Sequence, residues 1–140
     1  MTHWLYPVNP TNQKSWGYDE PPVTVMARKE APHTWRLPQR FKDFAKGDLI
    51  WVRESKHRGN PEARVIGIGV AHSGVLEDDD GYFFEVVFGT DLCRHLASRP
   101  FGLDVETTPM AARQLKDGEA TQLGSVVFDF AVARLVDETL

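Results

Sequence analysis

The sequence predicts an α+β, mostly β domain: one compact barrel or strongly bent sheet of about five or six strands, with short flanking helices. Three observations carry this. The runs "LIWV", "ARVIGIGVA" and "YFFEVVF" follow one another with short polar connections, which favours an antiparallel meander. Gly67 and Gly69, two apart within the second run, fall on one strand face and permit the tight bending a small barrel needs. The 140-residue length is ordinary for one domain, so residues 1–140 are read as a single unit.

The elements follow in order. Trp4, Leu5 and Tyr6 open a strand that stops on Pro7 and Pro10 with Asn9 between them, because proline donates nothing to a ladder and forces its predecessor extended. The stretch "YDEPPVTVMARKEAPHTW" is too proline-rich for a long helix and leaves room for a short strand at Val23–Met26. A second strand runs from His33 to Leu37. In "PQRFKDFAKGD", Pro38 as a start, Phe41 and Phe44 three apart, and Gly47 as a stop predict one short helix. The core strands are Leu49–Val52, Val65–Ala71 and Phe83–Phe88, with a turn at Gly59, Asn60 and Pro61 and an acidic turn in "LEDDDG". "TPMAARQL" predicts a helix capped by Thr108 with Pro109 in first position. The last stretch predicts a helix capped by Ser125, with Val127, Phe130, Ala131, Arg134 and Leu135 on one stripe.

Charge and composition exclude several classes. The net charge of -4 argues against a non-specific nucleic-acid binder. It is unevenly spread: Arg28 to Arg64 holds ten basic residues and five acids, so a positive middle sits between acidic flanks. The single cysteine, Cys93, cannot form an internal disulfide, which suits a reducing cytoplasm. No apolar run reaches membrane-spanning length and no signal-peptide pattern opens the chain, so the expected location is cytoplasmic, away from membranes. "GIG" lacks the third glycine and following helix of a dinucleotide fingerprint. Cys93 and His95 lie too close in sequence for the usual nucleophile–base pair. The five histidines show no ligand spacing, and "EDDDG" lacks the ordered spacing of a calcium loop. No metal and no cofactor is expected.

The order "HWL…NP", "HTWRL", "KGDLIWVRES", "ARVIGIGVAHSG" closely resembles the EVE domain, a member of the PUA-like superfamily that also contains the YTH and ASCH domains. The resemblance is good from Thr2 to Ser73 and holds in outline beyond. It departs in the proline-rich stretch between Pro10 and His33 and in the acidic overall charge. It implies a PUA-like bent barrel and a reader of DNA or RNA that holds a base, often modified, in an aromatic slot without chemistry. The physics agrees: a flipped base offers two faces for stacking and an edge for hydrogen bonds, and an amide supplies both donor and acceptor. The expected pocket is Asn9 at the base edge and Trp35 at its face, with Tyr6, Pro10 and Trp16 around them. Trp51, inside an apolar run, reads as core. Arg36, Arg40, Lys42, Lys56 and Arg58 are expected to line a phosphate-binding rim. Through the ASCH branch the resemblance also leaves open a hydrolase or nuclease, and the acidic flanks leave open a protein-interaction module.

Overall fold

The computed structural model describes residues 1–8, 22–26, 32–54, 64–98 and 112–139. Its strands are β1 (His3–Val8), β2 (His33–Leu37), β3 (Leu49–Glu54), β4 (Arg64–Ala71), β5 (Leu76–Asp78), β6 (Gly81–Phe88) and β7 (Arg113–Gln114). Its helices are α1 (Pro22–Met26), α2 (Thr90–Ser98) and α3 (Asp117–Thr139). The seven strands form one curled sheet ordered β2-β6-β4-β3-β1-β7, with β5 pairing β6. It is a curled half-barrel, the mostly-β bent sheet that the sequence predicts.

The central meander is as expected. β3 pairs antiparallel with β4, and β4 with β6. β1 then joins parallel to β3, from His3 opposite Leu49 to Val8 opposite Glu54. It runs through Pro7 and does not stop there. β7 covers only Trp4 and Leu5, so Pro7 stands where β1 has become an edge and its missing N–H costs no ladder bond on that side. A register shift between Val52 and Arg53 bends β3, as bulges do in curled sheets. Gly69 lies beside Val86 and Val87: an added Cβ would come within 2.7 Å of Val86 Cγ2 and 3.0 Å of the Val87 carbonyl. The glycine is therefore a close-approach position between β4 and β6.

Several local expectations give way to tertiary packing. Val23–Met26 lies in helix α1, not a strand. Pro22 suits the first helical position, and Val25 and Met26 are fully buried; Met26 packs against Gly67 of β4. Residues 38–48 are turns and bends, not a helix. Here the Asp48 carboxylate takes the Ala45 N–H at 3.0 Å, the local side-chain bond that competes with helix formation. The acidic turn shrinks to Asp79 and Asp80, because Leu76–Asp78 pairs with β6 as β5. An Asp80 N–H to Asp78 bond of 3.0 Å and Gly81 at φ +117° close that hairpin. Of the helix expected over 108–115, Arg113 and Gln114 are β7, pinned by buried Ala112 and Leu115; Thr108 and Pro109 lie outside the described residues, as does the turn at Gly59–Pro61.

Helix α3 begins eight residues before Ser125, which sits inside it donating to the Gln122 carbonyl. The working cap is Glu119, whose carboxylate reaches back to the Lys116 N–H at 2.9 Å, one half of a capping box. The core-facing residues are Leu123 and Val126. Val127, Ala131, Arg134 and Leu135 of the expected stripe are exposed, and Phe130 is half-buried against His95. The stripe is rotated because the longer helix meets the domain first through Leu123.

Candidate functional site

The sheet curls so far that β1 and β2, separated by three strands in the order, face each other across a seam. The Tyr6 and Trp35 rings lie 4.7 Å apart, and the Tyr6 hydroxyl donates to the Arg36 carbonyl at 2.6 Å. β2 is an edge of the sheet among the described residues, where backbone groups are open to a side-chain donor. Around the pair, Phe84 lies 5.8 Å from Tyr6 and Phe88 5.1 Å from Trp35. Phe44 joins at 4.9 Å from Phe84, and Trp4 at 5.2 Å from both Phe41 and Phe44. The register explains the gathering. Trp4, Tyr6 and Val8 alternate onto one face of β1, and Phe84, Val86 and Phe88 onto the facing side of β6.

Trp35 is 4% exposed, a member of the hydrophobic core, and Tyr6 is half-buried against it. Of the expected pocket, therefore, Tyr6 and Trp35 stand together at the seam. Asn9, Pro10 and Trp16 lie outside the described residues. β1 ends at Val8 beside Glu54, the point from which the chain leaves toward Asn9. Trp4 and Trp51 are core residues, 3% and 1% exposed.

The loop between β2 and β3 forms one bank of the seam. Phe41 and Phe44 turn inward onto Trp4, while Arg40, Lys42 and Lys46 stay exposed. A buried carboxylate missed by sequence reasoning locks this loop. Asp48 accepts from the Thr2 N–H at 3.1 Å, the Trp4 indole N–H at 3.0 Å and the Ala45 N–H. Only its place in the "KGD" turn hinted at it. Gly47, at φ +94°, allows its N–H to reach the Ala71 carbonyl at 2.8 Å.

Of the expected rim, Arg36 is already engaged. Its guanidinium grips Asp78 in two bonds of 2.6 and 2.9 Å and lies 5.3 Å over the Phe83 ring. The hydrogen bonds to Arg36 hold the Asp78 carboxyl below its ordinary range and raise the guanidinium. Both groups are exposed, so an arriving phosphate competes with Asp78 in water. Arg40 and Lys42 have no acidic partner among the described residues. Lys56 and Arg58 lie outside them.

The Cys93 thiol is buried between the Ile68 N–H and carbonyl, at 3.3 and 3.2 Å, and burial pushes its pKa up to about 11; it is a structural thiol, not an activated one. Among the described residues no group of three His, Cys, Asp or Glu side chains is placed to hold a metal ion. No described helix is long and apolar enough to cross a membrane. A cleft of about 350 Å³ between α2 and α3 is lined by Asp91, His95, Phe130, Arg134 and Asp137, elements that take no part in the seam.

No protein-family model matches the sequence, and no curated protein matches it. Among solved structures, the chain is similar to human THYN1 protein, crystallised in complex with 5-methylcytosine-containing DNA. The TM-score is 0.60 at 10% identity, over 90% of this chain and 97% of that one. At that identity the likeness shows fold alone: the two chains share one mostly-β, curled-sheet architecture.

Proposed function

From this fold as premise, we propose that the chain is a nucleic-acid-binding reader that holds one base, a modified cytosine in the first instance, at the Tyr6–Trp35 seam. The observation that carries the reading is the aromatic pair itself. It stands where β1 and β2, strands with no ladder between them among the described residues, come together, with an exposed Tyr6–Arg36 hydrogen bond beside it. The likeness to a fold crystallised on methylated DNA supports it. Trp35 offers a stacking face worth about 1–3 kcal/mol per base. To admit the base, Tyr6 turns from Trp35 and exchanges its exposed bond to the Arg36 carbonyl for water, and Asn9, next in sequence after β1, is the amide for the base edge. Arg40 and Lys42 meet flanking phosphates. The role is recognition without a chemical step.

The experiment is fluorescence anisotropy of the full chain with matched DNA and RNA oligonucleotides, with and without 5-methylcytosine. Wild type is expected to bind, and to prefer the modified strand. Trp35→Phe keeps most of the buried apolar volume, so it is expected to lose affinity and preference while the melting temperature stays close to wild type. Binding to no oligonucleotide, or affinity unchanged in Trp35→Phe and Tyr6→Ala alike, would overturn the reading.

A further inference from the structure

Arg53 stands on β3 just past the bulge, opposite Pro7 of β1 and Val65 of β4. It is half-buried, and no carboxylate among the described residues meets it. Four other arginines are tied: Arg36 to Asp78, Arg94 to Asp91, Arg113 to Glu119 and Arg134 to Asp91. Arg113 shares the face of Arg53. Its register partner is Leu5, two residues before Pro7 on β1, and residues two apart point the same way. Glu119 takes both terminal nitrogens of Arg113, at 2.9 and 2.7 Å, but the Arg113 Nε is buried with no acceptor. Glu119 thus balances one of the two charges and leaves one N–H unused. A cation withdrawn from water without a counter-ion is costly, and an anion from outside recovers that cost. Burial first, and then the neighbouring Arg113, disfavour the charged form of Arg53.

We propose that Arg53, with the Nε–H of Arg113 beside it, is a phosphate site for the backbone of the bound nucleic acid. This rests on the reader function above and extends it to the opposite face of β1 and β3. Tyr6 and Trp35 hold the base on one face of β1, while Arg53, opposite Pro7 near the end of that strand, takes a phosphate farther along the backbone. A guanidinium fork matches two phosphate oxygens, and a sheet-held arginine has little freedom left to lose. The arginine was hidden in sequence by its place in the apolar run "LIWVRE".

The test uses the full chain. Anisotropy with a single-stranded 12-mer is measured across a salt series for wild type, Arg53→Gln, Arg53→Lys and, as a control, Arg94→Gln on α2. Arg53→Gln is expected to bind several-fold more weakly, with the slope of log affinity against log salt reduced by about one. Arg53→Lys is expected to keep the slope, and Arg94→Gln to match wild type. In parallel, the arginine Nε–H resonances are followed by NMR during titration with inorganic phosphate and with the 12-mer. Shifts of the Arg53 and Arg113 resonances with both ligands support the site. Shifts with inorganic phosphate alone overturn the backbone as its ligand, and no shift with either overturns the site itself. A wild type that binds no oligonucleotide sinks the reader function, and the phosphate titration then still decides whether Arg53 is an anion site. A wild-type slope in Arg53→Gln overturns the inference while leaving the reader function intact.

Discussion

Asp48 accepts three hydrogen bonds at 5% exposure, from Thr2, Trp4 and Ala45. Its removal strands the buried Trp4 indole N–H and takes the acceptor from two part-buried backbone donors, Thr2 and Ala45; a buried donor left unmade costs about 1–3 kcal/mol and the part-buried ones less. Asp48→Ala is therefore expected to destabilise the domain by about 3–5 kcal/mol, read as a lower urea midpoint at unchanged slope. Asp48→Asn, which keeps one acceptor oxygen, is expected to lose less. If Asp48→Ala melts like wild type, the carboxylate does not lock the loop. The imidazole of His3 illustrates the same accounting on a smaller group. Its Nδ1 accepts from the Trp51 indole N–H at 3.1 Å, so the neutral ring carries its proton on Nε2.

The strands and helices hold each other at a few close approaches. At Gly69 an added methyl meets a backbone carbonyl, which cannot retreat without breaking the sheet; at Gly67 it meets the Met26 thioether, a flexible end, at 2.4 Å. Gly69→Ala is thus expected to cost about 2–3 kcal/mol and Gly67→Ala less, since overpacking costs about 1–3 kcal/mol and yields where a side chain can move. Thermal melts of the two variants check the order. At the start of α3, the bidentate bond from Arg113 depresses the Glu119 carboxyl from 4.5 to about 2. A depressed carboxylate stabilises the fold above its unfolded value. That stabilisation, on the order of 2 kcal/mol, is expected to drain away as the pH falls from about 4.5 to 2. Glu119→Gln should remove that part of the acid dependence. A variant with an unaltered stability–pH curve would refute the assignment.

For the whole molecule the decisive feature is the curl that brings β1 to β2. A flat sheet would leave Tyr6 and Trp35 on separate surfaces. The curl makes one seam with Arg40 and Lys42 on the neighbouring loop, exposed beside inward-turned Phe41 and Phe44. Replacing Arg40 and Lys42 together by alanine is expected to weaken every oligonucleotide alike and to flatten the salt slope by about one per lost contact. Unchanged affinity and slope would move the rim elsewhere. Stability should hardly change, because neither side chain is buried.

The sequence by itself determined the parts of the fold that local pattern encodes. "LIWV", "RVIGIGVA" and "YFFEVVF" are strands wherever they are placed, because β-branched and aromatic side chains need a pleated, buried surface. Their short links make the meander. It also marked Tyr6 and Trp35, each an aromatic on a short strand with proline close by. Only tertiary structure decided the rest. Val23–Met26 became helical because Met26 fills the space over Gly67. Residues 38–48 lost a helix because the Asp48 carboxylate took the Ala45 N–H and Phe41 and Phe44 packed onto Trp4, and Arg113–Gln114 became a strand by pairing with β1. Arg53, read as one charge in an apolar run, gained its meaning from Arg113, sixty residues away in the chain. Local patterns report which face a residue can bury; which distant group shares that face depends on the curl of the sheet, and no short window of sequence contains it.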